Sequence, residues 1–166
     1  NSLRLFESET PGSIQGESAA FFMLGKKPTE KSWCGILDSK CVYAPASLDE
    51  LNEGLNSFLF ENDLASNNVD LVIHGQSGDP KKDKLTIDIL RSQFNAIPQS
   101  RFKHLSGEYC TSSSFGLWLG ASVLKHQRIP EITRANTIVP KQLKTVLIFN
   151  HYQGKNYSFT LLRGLT

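Results

Sequence analysis

The spacing of apolar positions changes several times along the chain, and each change marks an element. Residues 18–24, Ser-Ala-Ala-Phe-Phe-Met-Leu, predict a strand. After a loop marked by Gly25 and Pro28, Trp33, Ile36, Leu37, Val42 and Tyr43 predict a second strand over 32–43, adjacent and antiparallel to the first. Ser47-Leu-Asp-Glu50 is a capping-box pattern, and Leu48, Leu51, Leu55, Phe58 and Leu59 then recur at helical spacing, so a helix should run to 61–64. Asn67-Asn68 predicts a turn, and the β-branched run Val69-Asp-Leu-Val-Ile-His74 a buried strand.

A second helix is predicted over 82–94, with Leu85, Ile87, Ile89, Leu90 and Phe94 on its buried face. Residues 101–105 should be short and extended. Residues 112–126 predict a helix whose apolar positions cover much of its circumference, which implies burial on several sides. Pro130 follows its end. Residues 145–149 and 157–162 predict two strands joined by a long hairpin loop over 150–156. Residues 1–12 are polar and turn-rich. The order β, β, α, β, α, α, β, β implies an α/β fold with a mixed sheet packed between helices, in one domain over 1–166.

The site-forming stretch is 69–75. A buried strand that stops at His74 and turns at Gly75 places an imidazole at the carboxyl edge of a sheet, where open α/β sheets bind ligands. A second loop, Lys103-His-Leu-Ser-Gly107-Glu108, precedes the helix predicted at 112 and should face the same pocket. Bulk properties narrow the picture. With 166 residues, 39% hydrophobic and 20% charged, the chain can bury a core. A net charge of +2, scattered along the sequence, gives no footprint for nucleic acid. No apolar run approaches the ~20 residues of a membrane span, and no signal-peptide pattern is present. The first residue is Asn1, so the natural start is expected upstream. Cys34, Cys41 and Cys110 form no Cys-x-x-Cys pair, which argues against a metal site and for reduced thiols in a cytoplasmic protein.

Several segments, in order, resemble β-ketoacyl-acyl-carrier-protein synthases of the thiolase-like superfamily. Gly16-Glu17-Ser18-Ala19-Ala20 is similar to their Gly-Glu-Gly-Ala segment. Residues 69–83 are similar to a strand, a His-Gly-Thr-x-Thr loop and a downstream Asp. Lys103 to Glu108 resembles a Lys-x-x-x-Gly-His loop, residues 125–130 the end of the next helix, and Gly154-Lys155-Asn156 a Gly-Thr-Asn before the last strand. The resemblance spans nearly the whole chain and is to the C-terminal half of such a synthase. It implies a thiolase-like half, the nucleophilic cysteine belonging to an N-terminal half that is absent here. It also implies an acyl carrier protein as partner, pairing with that half or with a condensing-enzyme partner chain, a homo- or heterodimer, and no cofactor.

The reaction it implies is a decarboxylative Claisen condensation, in which aimed donors stabilise the developing charge on a thioester oxygen. His74 then matches the first histidine, and Lys103 matches a lysine that orients the histidines. Glu108 stands where the second histidine belongs. A carboxylate only accepts hydrogen bonds, so Glu108 could donate only if protonated; it could instead act as a base. Other departures run the same way. Gln76 and Gly78 replace threonines, the His74-to-Asp83 spacing is one residue longer, and Asn150-His-Tyr-Gln-Gly154 replaces a Phe-Gly-Phe-Gly-Gly gate, with Tyr152 at a phenylalanine position. Cys110, at a helix start, reads as a small buried residue. His104, His126 and His151 read as surface or satisfied groups, and Ser112 to Ser114 have no acid–base partner for a triad. Three functions follow: half of a condensing enzyme, a partner of chain-length-factor type without catalysis, or an acyl-binding module.

Overall fold

The computed structural model describes residues 5–6 and 10–165. Most of the turn-rich stretch expected at 1–12 lies outside them. Five strands form one mixed sheet in the order β1-β5-β4-β2-β3: β1 (Cys34–Tyr43), β2 (Leu71–His74), β3 (Gln99–Arg101), β4 (Thr145–Tyr152) and β5 (Asn156–Gly164). β2 lies between β3 and β4 and is parallel to both, while β5 runs antiparallel to β4 and β1. His74 therefore sits opposite Arg101 and Phe149 on one carboxyl edge. The expected mixed α/β sheet is present.

The sheet separates two apolar layers because side chains alternate along each strand. On one face, α1 (Leu48–Glu61) and α2 (Pro80–Gln93) bury Leu51, Leu55, Phe58, Ile89 and Leu90 against Val72, Leu147, Phe149 and Phe159. On the other, α4 (Ser113–His126) buries Leu119, Val123 and Leu124 against Leu71, Ile73, Val146, Ile148 and Leu162. Gly116 and Gly120 permit that approach: a Cβ on Gly120 would meet Leu162 at 2.8 Å, and one on Gly116 would meet Phe102 at 3.1 Å.

Local chemistry explains the boundaries. Ser47 Oγ accepts the Glu50 N–H at 3.2 Å, and Glu50 reaches back to the Ala46 N–H at 2.7 Å, so the capping pattern starts α1 as expected. α2 begins two residues before the expected 82, because Asp79 caps it through Lys81 and Lys82 and Pro80 fits the first turn. Its buried positions include Asp83 and Thr86, while Leu85 and Ile87 are only half-buried.

Three expectations need correction. Residues 18–24 form no strand: among the described residues no neighbouring edge pairs with them, and β1 pairs instead with β5. Lys103–Ser106 is one turn of helix (α3), not extended, and the short strand β3 lies just before it. The loop over 150–156 is mostly strand. Tyr152 still pairs with Asn156, which leaves only Gln153, Gly154 and Lys155 to turn, with Gln153 and Gly154 both at positive φ. α4 buries Gly116, Leu119, Gly120, Ala121, Val123 and Leu124, while Trp118 is 45% exposed.

Candidate active site

The carboxyl edge of β2, β3 and β4 gathers five buried ionisable groups: His74, Asp83, Lys103, Glu108 and His151. His74 ends β2. Gly75 follows and donates to Phe149 O at 2.9 Å, which ties the turn to β4. A Cβ on Gly75 would lie 1.9 Å from Asn150 Oδ1 and 3.1 Å from Lys103 Cε. Gly75 is thus the residue that lets the His74 turn, the end of β4 and the lysine stem converge. Burial, then the positive charge of Arg101, pulls the His74 imidazole down to about 3 against the pull of Asp83. The ring is neutral near pH 7, and its buried Nδ1 has no hydrogen-bond partner among the described residues.

The second loop closes differently. Lys103 Nζ lies 2.5 Å from Glu108 Oε2 and donates to His151 O at 2.5 Å. Burial lowers the Lys103 pKa, while Glu108 and then Asp83 pull it back up. Glu108 Oε1 accepts the Gln153 N–H at 3.3 Å, so this one carboxylate holds the lysine and the hairpin turn together. Its backbone is clamped too. Glu108 N donates to Ile14 O at 2.8 Å, and Gly16 N donates to Glu108 O at 3.3 Å. Gly16 and Gly107 pack with no room for a side chain: a Cβ on Gly16 would lie 2.1 Å from Ser106 O.

Asp83 and His151 complete the cluster. Asp83 Oδ1 accepts from Ser77 N at 2.8 Å, Ser77 Oγ at 3.0 Å and His151 Nε2 at 2.7 Å, and Oδ2 accepts from Gly78 N at 2.8 Å. Burial pushes the carboxyl up, but the hydrogen bonds from His151, Ser77 and Gly78 outweigh it and hold Asp83 below the usual carboxylate range. His151 Nδ1 accepts the Gly154 N–H at 3.1 Å, which places the ring proton on Nε2, facing Asp83. His151 is a satisfied residue, as expected, but not a surface one: it joins the hairpin to the His74 loop. No local pattern in the sequence points to it, because its partner Asp83 lies 68 residues away.

The structure thus brings His74, Lys103 and Glu108 to one sheet edge. Asp83, Asn150 and His151 join them there. Cys110 is exposed and not the buried residue expected, and its side-chain hydrogen bond with Tyr152 raises the pKa of that tyrosine. His104 bonds Ile132 O at 2.8 Å, and His126 packs edge-on against Trp33. Among the described residues, no group of three or more His, Cys, Asp or Glu side chains is arranged to hold a metal ion, and no helix is long and apolar enough to cross a membrane.

The fold is similar to that of solved ketosynthase structures. An oxazolomycin ketosynthase domain of Streptomyces albus JA3453 superposes with a TM-score of 0.64 at 12% identity, covering 80% of this chain and 45% of that one. The ishigamide ketosynthase/chain length factor gives 0.64 at 16% identity, covering 81% and 38%. A type II polyketide synthase acyl-carrier protein in complex with its hexaketide-bound ketosynthase gives 0.55 at 11% identity, covering 80% and 34%. The chain spans less than half the length of each of these structures. No protein-family model and no curated protein sequence matches it. The likeness is therefore one of fold: a mixed α/β sheet of the ketosynthase kind, covering part of that fold.

Proposed function

We propose that this chain is the C-terminal half of a condensing-enzyme-like protein of chain-length-factor type. In this reading it helps to shape an acyl pocket beside an active synthase and an acyl carrier protein, and does not itself decarboxylate malonyl thioesters. The observation that carries this reading is the buried Lys103–Glu108 ion pair. Decarboxylation needs donors aimed at a developing negative charge. At the second donor position stands a carboxylate, one oxygen against Lys103 and the other accepting from Gln153. The lysine is occupied by Glu108 and by His151 O. The cation that could serve charge stabilisation is held by a carboxylate instead.

One observation favours the enzymatic reading, a β-ketoacyl synthase half: His74 is neutral, and its Nδ1 is unpartnered. A single neutral imidazole can supply one of two donors. The two readings part in one experiment. The chain is purified with a cysteine-bearing condensing-enzyme polypeptide from the same organism, and CO2 release from malonyl carrier protein is followed for wild type and His74→Ala. Unchanged turnover supports the non-catalytic role. A fall of ~10²-fold or more, the size of losing one oxyanion donor, makes His74 catalytic and overturns it.

A further inference from the structure

We infer that residues 12–16 are a strap that couples the two site loops, with Asp79 as the positioning residue that holds the Lys103–Glu108 pair shut from the opposite loop. The strap stands on contacts within this chain; that it regulates a non-catalytic acyl pocket rests on the reading above. At the β2 loop, Gly12 N donates to Asp79 Oδ2 at 3.0 Å. At the β3 loop, Glu108 N donates to Ile14 O at 2.8 Å and Gly16 N donates to Glu108 O at 3.3 Å. One short stretch of backbone therefore ties a carboxylate on the first loop to both backbone groups of Glu108 on the second. The Ser18 and Tyr109 hydroxyls bond each other just beyond. Upstream, Leu5 and Phe6 repeat the crossing. A Cβ on Gly78 would lie 2.5 Å from Leu5 Cδ1, and Phe6 packs edge-on against His104 with the Arg101 guanidinium 3.9 Å from its ring centre.

The two ends of the strap are held by different means. At the β3 loop, backbone lies directly on backbone: a Cβ on Gly107 would sit 2.5 Å from Gly16 Cα, and one on Gly16 2.1 Å from Ser106 O. At Gly12 a Cβ would meet nothing within 4 Å, and the glycine is needed for its φ of +123° instead. The strap is thus seated on the Glu108 loop by packing. It is turned towards the His74 loop by one glycine and held there by one carboxylate oxygen. Asp79 divides its two oxygens between two tasks. Oδ1 accepts the Lys81 and Lys82 N–H groups at 3.0 and 3.3 Å and caps α2, while Oδ2 accepts from the strap.

Glu108 carries the consequence. Its backbone holds the strap, its Oε2 faces Lys103, and its Oε1 accepts the Gln153 N–H. An ion pair of this kind is strong only while it is kept from water. Releasing the strap at Asp79 loosens the Glu108 backbone, which opens both the pair and the hairpin turn. The site lysine is therefore controlled by a contact made on the other loop.

Asp79→Asn separates the two tasks of the carboxylate. The amide keeps an Oδ1 acceptor for the helix cap, while its NH2 group cannot accept the Gly12 N–H. It also removes the Lys82–Asp79 ion pair at 3.7 Å, for which Lys82→Gln is the control. Asp79→Asn should keep the wild-type circular dichroism. The Glu108 and Gln153 amides should exchange ~10-fold or more faster by NMR, the size of losing one hydrogen bond to a charged acceptor. Lys103, unreactive towards acetic anhydride in the native wild type, should become acetylated as read by mass spectrometry. Gly12→Ala, which strains the turn without a clash, should do the same, and this second variant decides the matter if Asp79→Asn fails to fold. The inference is overturned if the Glu108 and Gln153 amides and Lys103 labelling stay at wild-type levels while the Gly12 amide speeds up. It is equally overturned if Lys82→Gln reproduces the changes, or if the amides of α2 speed up as much as that of Glu108. Coupled exchange with a large His74→Ala loss overturns the non-catalytic reading and leaves the strap standing. Uncoupled exchange with a silent His74→Ala overturns the strap and leaves that reading standing.

Discussion

The two loops at the carboxyl edge of the sheet are built from similar parts and end in opposite states. The loop after β2 carries a buried histidine with an unpartnered nitrogen, next to a glycine that lets β4 and Lys103 approach. The loop after β3 carries a buried lysine and a buried glutamate that face each other. One loop retains an unsatisfied polar atom, which costs free energy unless something arrives to meet it. The other neutralises its charges internally and welds itself to the hairpin turn. Burial alone therefore does not mark a working catalytic group. What separates the loops is whether the buried group's partner is already inside the chain.

Breaking the ion pair gives the largest expected effect. Lys103→Met leaves Glu108 buried without its cation and should destabilise the chain by ~3–5 kcal/mol, whereas Lys103→Met with Glu108→Leu should recover most of that loss. Urea unfolding of both variants measures it. If the single variant is as stable as wild type, the pair is not what closes this loop.

His74 sets the next effect, through pH. Its folded pKa, about 3, lies below its unfolded value near 6.5, so the unfolded chain binds more protons between them. The stability from a neutral His74 is complete above pH ~6.5 and drains as pH falls towards 3, by on the order of 4 kcal/mol. Burial also lowers the half-buried His104, a smaller contribution with the same sign. His74→Phe should flatten the stability profile between pH 6 and 4. A profile as steep as wild type would show that His74 is not the group taking up the proton.

Asp83→Asn tests the brace between the loops. Losing a charged acceptor for Ser77, Gly78 and His151 should cost ~1.5–3 kcal/mol and loosen the hairpin, visible as faster amide exchange at Gly154. The two glycines give the smallest expected effects and rank the loops directly. Gly16→Ala drives a Cβ into backbone at 2.1 Å, and Gly75→Ala drives one into the Asn150 side chain at 1.9 Å. Each should cost ~1–3 kcal/mol, with Gly16→Ala the worse, because backbone cannot swing aside. Asn150→Ala should rescue Gly75→Ala and leave Gly16→Ala unrescued, as read by Tm.

Much of the fold was legible from residue spacing. The stripe Leu51, Leu55, Phe58 and Leu59, the cap at Ser47 and the run ending at His74 are local patterns set by helix and strand periodicity, and they appear in the structure as read. His74, Lys103 and Glu108 could be singled out because each lies in a short segment with a turn glycine. His151 could not. Its partner Asp83 is 68 residues away in sequence, and nothing local pairs them. Only the parallel pairing of β2 with β4 brings the end of β4 over the first turn of α2. The segment at 18–24 teaches the converse. Its strand pattern is plain in the sequence, yet backbone hydrogen bonds between strands need a second edge, and among the described residues none pairs with it. Periodicity belongs to the sequence because it follows from the geometry of one segment. The joining of Lys103 to Glu108 and of Asp83 to His151 belongs to the tertiary structure, because two buried charges or ring nitrogens find each other only after the sheet has set their separation.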